Sequence, residues 1–121
     1  MSEDKIPGVD IDAGLELYGG EMDIFITVLN SFAENTPTII DKLRNVSMES
    51  LPDYLINIHG LKSVSATIAA TEINEKAKAL EMMAKEGNLS GVLAENSELL
   101  NNTENLINTI TNWLKTANTD E

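Results

Sequence analysis

The chain of 121 residues contains no cysteine, one histidine and few aromatic residues, and it has no long apolar run. Without cysteine there is no disulfide framework and no thiolate metal site, which fits a reducing compartment. Crossing a bilayer would take an apolar run of roughly 18 residues, and no basic segment followed by an apolar one resembles a secretory leader. The length suits a single core. The sequence therefore predicts a cytoplasmic protein of one domain.

Basic residues are also scarce, because 8 lysines and arginines face 20 acidic residues and the formal net charge is -12. Such a chain repels nucleic acid and anionic lipid, so neither is an expected partner. The acidity either keeps the protein soluble or steers a basic partner toward it, and the sequence is compatible with both roles.

Apolar residues recur at spacings of three, four and seven through most of the chain, which is typical of amphipathic helices. A short helix over about residues 11–17 should stop at Gly19 and Gly20. The second helix contains Pro37, which should bend it. The third begins near Pro52, the fourth has Thr71 as a plausible N-cap, and the last runs from about residue 90 to 115.

Four long helices joined by short turns predict an all-α fold, an antiparallel up-down four-helix bundle with a short additional N-terminal helix. The predicted organisation is an N-terminal arm over residues 1–10, the helical bundle over 11–117 and a polar tail over 118–121.

The only histidine, His59, lies on the third helix, so any imidazole chemistry depends on this residue. At about 100° per residue it points roughly 130° away from the core direction. That direction is the mean of Tyr54, Ile58, Leu61, Ser65 and Ile68. The exposed sector also holds Ser63, Ala66 and Ala70, a strip of small side chains that would let another protein approach. The alternative interpretation is that these small residues only favour helix formation and bind nothing.

The hairpin between the third and fourth helices predicts partners for the histidine. If the chain turns at Ala70, residues whose numbers sum to 140 are level across the pair. His59 is then level with Glu81, and Lys62 with Lys78. A carboxylate on one ring nitrogen would fix the tautomer and leave the other nitrogen as a nucleophile. Otherwise Glu81 is a solvated surface residue.

The stretch HGLKSVSATIAA, residues 59–70, resembles the signature of histidine-containing phosphotransfer (HPt) domains of two-component phosphorelays. The matching residues are His59, Leu61, Lys62, Ser65, Ile68 and Ala70. Ser63 and Ala69 stand where the family usually has glycine. The preceding segment 8–37 is similar to the family's N-terminal part, and Leu80-Glu81 matches its frequent Leu-Glu, so the resemblance covers most of the chain.

The resemblance implies a phosphoryl carrier without catalytic machinery of its own. His59 would accept a phosphoryl group from a receiver-domain aspartyl phosphate and pass it to another receiver. Glu81 would hold the near ring N–H, Lys62 would neutralise phosphoryl oxygens, and Lys78 would add positive potential. The implied partners are response-regulator receiver domains and a hybrid sensor histidine kinase. We expect a monomer with no cofactor or metal ligands, the Mg²⁺ being held by the receiver.

Two alternatives remain from the sequence. The chain could be a module that docks a receiver or kinase without being phosphorylated, or the phosphoacceptor domain of a chemotaxis-type histidine kinase. Of the two departures, Ser63 adds a hydroxymethyl group on the docking side. Ala69 should matter less, since it lies near a helix end and alanine is a good helix former.

Overall fold

A computed structural model describes the backbone of residues 5–119 and the side chains of residues 5–116. Within that range the chain forms five α-helices and no strand. They are α1 (Ile11–Leu17), α2 (Met22–Lys42), α3 (Leu51–Thr67), α4 (Thr71–Lys85) and α5 (Leu89–Thr119). The predicted all-helical class is confirmed.

Some helix ends follow local sequence signals. The Asp10 carboxylate accepts from the Ala13 N–H at 3.1 Å and caps α1, and the chain leaves that helix through Gly19, which has φ 67°. Pro37 lies inside α2. The Asn88 side chain accepts from the Gly91 N–H at 3.0 Å at the start of α5. Side-chain caps of this kind satisfy backbone N–H groups that the helix leaves unpaired.

The helices pack as neighbouring pairs around one core. α3 contacts α4, α4 contacts α5, and α2 contacts both α3 and α5, while α1 lies on α2. Residues predicted to face inward from α3, such as Tyr54 and Ile58, are buried, and so is Leu80 on α4. One member of the apolar pattern of α5 differs, since Leu93 is 54% exposed. No helix of the described part is both long and apolar enough to cross a membrane.

The predicted N-terminal arm contributes to the core where the structure describes it. Ile6 is 2% exposed, and it pairs with Val9 in an isolated antiparallel bridge. The Asp10 N–H donates to the Ala69 carbonyl at 3.0 Å, which ties this segment to the end of α3. Residues 1–4 of the arm, and 120 and 121 of the predicted tail, lie outside the described residues. Helix α5 continues through residues 118 and 119.

Two expectations about the connection between α3 and α4, residues 68–70, were not met. Ala69 is not helical, because α3 ends at Thr67 and Ala69 has φ 56°. This left-handed conformation places the Cβ atom close to backbone and disfavours alanine, so glycine would suit the position better. The N-cap of α4 is Ala70, without a side-chain cap, and Thr71 is already helical. The Thr71 N-cap prediction was therefore wrong.

Replacing Ala69 with Gly should raise the free energy of unfolding by about 1 kcal/mol. The substitution removes left-handed strain of about 1–2 kcal/mol and adds a smaller entropic cost in the unfolded chain. Urea unfolding of both proteins measures the difference. Ala79→Gly, at an exposed position inside α4, is the control and should destabilise by about 1 kcal/mol. Equal destabilisation by both substitutions would contradict the strain argument.

Candidate functional site

His59 stands on the outer surface of α3. Its side chain is 59% exposed, whereas Ile58 and Leu61 on either side of it are fully buried. The outward orientation expected from helical phase is therefore present. An imidazole in this position is accessible to another macromolecule, which a core histidine would not be.

Glu81 of α4 meets the imidazole from the inner side. Its Oε2 lies 2.7 Å from His59 Nδ1, and its Oε1 accepts from Lys62 Nζ, also at 2.7 Å. The His59–Glu81 contact that was expected from the hairpin register is therefore present. The Glu81 side chain is only 6% exposed. A buried carboxylate needs hydrogen-bonding partners to offset desolvation, and here each oxygen has one. The alternative of a solvated surface glutamate is wrong.

The charge on Glu81 decides which ring nitrogen holds the proton. The hydrogen bond from Lys62, assisted by the one from His59, keeps the pKa of the Glu81 carboxyl below its ordinary value, although burial acts in the opposite direction. An ionised carboxylate can only accept, so His59 Nδ1 carries the hydrogen and donates it. In the neutral ring the lone pair available for bonding is then on Nε2. Within the described residues Nε2 has no hydrogen-bond partner.

The Lys62 side chain is bound to Glu81 and does not stand free at the surface. It is 28% exposed, and its ammonium group is paired with the Glu81 carboxylate, which also contacts the imidazole. Its carbonyl accepts from Ser65 Oγ at 2.9 Å and from Asn74 Nδ2 at 2.8 Å. Lys62 therefore connects α3 to α4 through both its side chain and its backbone.

Asn74 was not predicted from the sequence, although it fastens α4 to α3 next to the site. The register of the hairpin could have indicated this contact, because it places Asn74 level with Ala66, and Ala66 is one turn from Lys62 on α3. Lys78 is exposed, and within the described part of the chain it forms no ion pair with Glu81. It lies one turn before Glu81 on α4.

Of the three small residues predicted to be exposed beside His59, two are exposed. Ser63 and Ala66 are exposed, but Ala70 is fully buried. The helical phase that placed Ala70 outside does not apply, because α3 ends at Thr67 and the left-handed Ala69 turns the chain inward. Gly60, next to His59, faces open space, since a Cβ there would meet nothing within 4 Å.

The described residues include no group of three or more histidine, cysteine or acidic side chains arranged to hold a metal ion. The cluster that the structure does assemble is the ring of His59, the Glu81 carboxylate and the Lys62 ammonium group.

Comparison with known proteins adds no relative, since no protein-family model matches the chain and neither a curated protein nor a solved structure matches it significantly.

Proposed function

We propose that this chain is a histidine phosphotransfer protein of two-component signalling. His59 would accept a phosphoryl group from the aspartyl phosphate of one receiver domain and deliver it to another. The observation that supports this most is the exposed ring whose Nδ1–H is held by the buried Glu81 carboxylate, which leaves Nε2 free toward solvent. Such an arrangement suits a nucleophile that a partner protein must reach.

This geometry suits phosphoryl transfer from an aspartyl phosphate to the imidazole. The lone pair of His59 Nε2 attacks the phosphorus of the aspartyl phosphate, the P–N bond forms, and the P–O bond to the aspartate breaks with its electron pair leaving on that carboxylate. The proton stays on Nδ1, so the phosphorylated ring acquires positive charge, and the Glu81 carboxylate at 2.7 Å compensates it. Delivery to a second receiver is the reverse reaction with a new aspartate.

Charge near the site supports the same proposal. Phosphoryl transfer depends mainly on alignment and on compensation of the phosphoryl charge. Lys62 keeps Glu81 ionised and in place, and it lies close to the ring through that shared carboxylate. The Mg²⁺ that compensates the acyl phosphate would be held by the receiver domain.

We infer an antiparallel up-down arrangement of α2 to α5, with α1 as the additional short helix. The connections between α3 and α4 and between α4 and α5 are short, which favours antiparallel neighbours. The contacts between α3 and α4 also indicate antiparallel helices. His59 contacts Glu81, whereas Lys62, which comes later on α3, contacts Asn74, which comes earlier on α4. Just beyond the end of α2, the Arg44 guanidinium pairs with Glu104 of α5.

On this proposal the chain is a cytoplasmic monomer whose partners are receiver domains and a hybrid sensor histidine kinase. The formal net charge of -12 argues against nucleic acid and anionic membrane as ligands. Of the two alternatives, the docking module does not account for the fixed tautomer of His59, because a surface that only binds needs none. The kinase-domain alternative uses the same site and differs in the phosphoryl donor.

Replacing His59 with Gln should abolish phosphorylation. Purified receiver domains of the same organism, each phosphorylated with acetyl phosphate, are mixed with the chain, and the transferred label is tested for the acid lability of phosphohistidine. The wild type should be labelled by at least one receiver and His59→Gln by none, because no other imidazole is present. Asn57→Gln, on the same helix, is the control and should be labelled normally. Label that persists in His59→Gln would refute the assignment, and binding without label would favour the docking module.

A further inference from the structure

Within the described residues, three side-chain hydrogen bonds join α3 to α4. Two of them belong to Glu81, which contacts the His59 ring and the Lys62 ammonium group. The third belongs to Asn74, whose Nδ2 donates to the Lys62 carbonyl at 2.8 Å. Because a carbonyl oxygen can only accept, the amide N–H of Asn74 must face it. Helix α4 therefore holds Lys62 at both its side chain and its backbone.

The two positions on α4 that make these contacts lie on one face of the helix. Glu81 follows Asn74 by seven residues, which is close to two full turns and about 10.5 Å along the axis. Ala77 lies between them and is fully buried, so its small side chain allows α3 and α4 to approach closely. The Lys62 side chain leans toward the start of α3, as helical side chains do, and it thereby reaches the later of the two positions.

Of the three bonds, only the one from Asn74 ends on a backbone atom. Glu81 contacts two side-chain groups, an imidazole and the end of a flexible lysine, and both can follow the carboxylate through changes of rotamer. The Lys62 carbonyl cannot move without deforming α3. It also accepts from Ser65 Oγ at 2.9 Å, and Ser65 is fully buried. The Asn74 bond therefore limits how far α4 can slide along α3 or rotate against it.

We propose that Asn74 is a positioning residue for phosphoryl transfer, because it holds Glu81 in the register in which its carboxylate accepts from His59 Nδ1–H. A shift of α4 by about 1 Å would lengthen the 2.7 Å contact between Glu81 and the ring beyond the usual range of a hydrogen bond. Without that acceptor the proton exchanges between the two ring nitrogens, so a smaller fraction of rings presents the Nε2 lone pair. This inference rests on the proposed function and adds a residue that does not touch the ring.

The test compares two variants of Asn74 with two controls. Asn74→Ala and Asn74→Asp both remove the amide donor, and the second keeps the size of the side chain. Asn30→Ala is the matched control for the lost bond, since Asn30 Nδ2 donates to the Ile26 carbonyl at 3.2 Å within α2. Asn96→Ala is the control for lost stability, because its two buried hydrogen bonds do not involve the site.

Two measurements are made on each variant under conditions in which it is folded. The first is the rate of phosphoryl transfer from the receiver that labels the wild type fastest. The second is the pair of nitrogen chemical shifts of the His59 ring, which report the fraction of rings that carry the proton on Nδ1. The chemical shifts need no partner protein, so they test the hold on Glu81 separately from the proposed function.

We expect both Asn74 variants to lower kcat by about three- to tenfold, with the KM for the receiver unchanged. The ring shifts should move toward those of an imidazole that exchanges between tautomers, and neither measurement should change in Asn30→Ala or Asn96→Ala. In the Glu81→Ala background, Asn74→Ala should have little further effect on kcat.

Ring shifts that keep their wild-type values in both Asn74 variants would overturn the positioning role, as would a kcat equal to that of Asn30→Ala. Losses that multiply with those of Glu81→Ala would also overturn it, because Asn74 would then act by another route. The same holds if Asn96→Ala moves the ring shifts equally, since lost stability alone would explain the change. If the shifts change as expected but no receiver labels the wild type, the proposed function fails while the hold on Glu81 stands.

Discussion

Replacing Glu81 with Ala is expected to lower kcat for phosphotransfer by about 10- to 100-fold, with little change in KM. The substitution removes the acceptor that fixes Nδ1–H of His59. Loss of the comparable hydrogen-bond partner of a metal-bound histidine costs about 10- to 100-fold in activity. Glu81→Gln retains an acceptor oxygen but no charge, so its rate should be intermediate. Glu75→Ala, at an exposed position of the same helix, is the matched control. Equal rates for Glu81→Ala and Glu75→Ala would contradict the assigned role.

A double-substitution cycle determines how Lys62 acts. If Lys62 works through Glu81, to which it is bound, Lys62→Met should slow transfer in the wild type and have little further effect on Glu81→Ala. If the ammonium group instead contacts the phosphoryl oxygens directly, the two losses should multiply. The structure favours the first result, because Lys62 and His59 occupy the two oxygens of one carboxylate.

The same carboxylate makes stability depend on pH in a defined direction. Since the folded-state pKa of Glu81 is lowered from about 4.5, its ionised form stabilises the fold above that pH. The contribution is lost as pH falls below 4.5 and through the lower folded-state pKa. The difference in unfolding free energy between the wild type and Glu81→Ala should therefore be largest near neutral pH and should shrink in acid. A difference that grows on acidification would contradict the pKa direction.

Replacing Asn96 with Ala should lower the free energy of unfolding by about 2–6 kcal/mol. Asn96 is 5% exposed. Its Oδ1 accepts from the Tyr54 hydroxyl at 2.8 Å, and its Nδ2 donates to the Leu43 carbonyl at 2.8 Å. The alanine variant leaves both groups unsatisfied in the interior, at about 1–3 kcal/mol each. Asn102→Ala, exposed on the same helix, should change stability by less than about 0.5 kcal/mol.

Urea unfolding at neutral pH measures both variants. Similar stabilities for Asn96→Ala and Asn102→Ala would show that the buried contacts contribute nothing net. Phosphorylation of His59 in Asn96→Ala should remain at the wild-type rate wherever the chain is folded, because Asn96 bonds to Tyr54 and Leu43 and not to the site.

Helical periodicity was sufficient for the helices and for the outward position of His59, because both depend on regular geometry within one element. The contact with Glu81 followed from a single additional assumption, the position of the hairpin turn. The contact is sensitive to that position, since a shift of one residue rotates a helical side chain by about 100°.

Where the sequence interpretation failed, the chain leaves regular geometry. Ala70 was extrapolated along a helix that ends three residues earlier, and Thr71 was chosen as a cap by residue type although the turn places Ala70 there. Ile6 is buried through tertiary packing of a segment with no periodic pattern. Neither the left-handed Ala69 nor the cross-helix bond from Asn74 follows from propensity.

The three-residue connection between α3 and α4 limits how the chain can change in length. Its backbone groups are occupied, since the Ala70 N–H donates to the Ser65 carbonyl and the Ala69 carbonyl accepts from Asp10. An inserted residue would carry Glu81 away from His59 along and around its helix. Insertions there should be far less tolerated than in the longer connection between α2 and α3, where Met48 is 60% exposed. The length of one tight turn is therefore as much a part of the site as the side chains on the helices it joins.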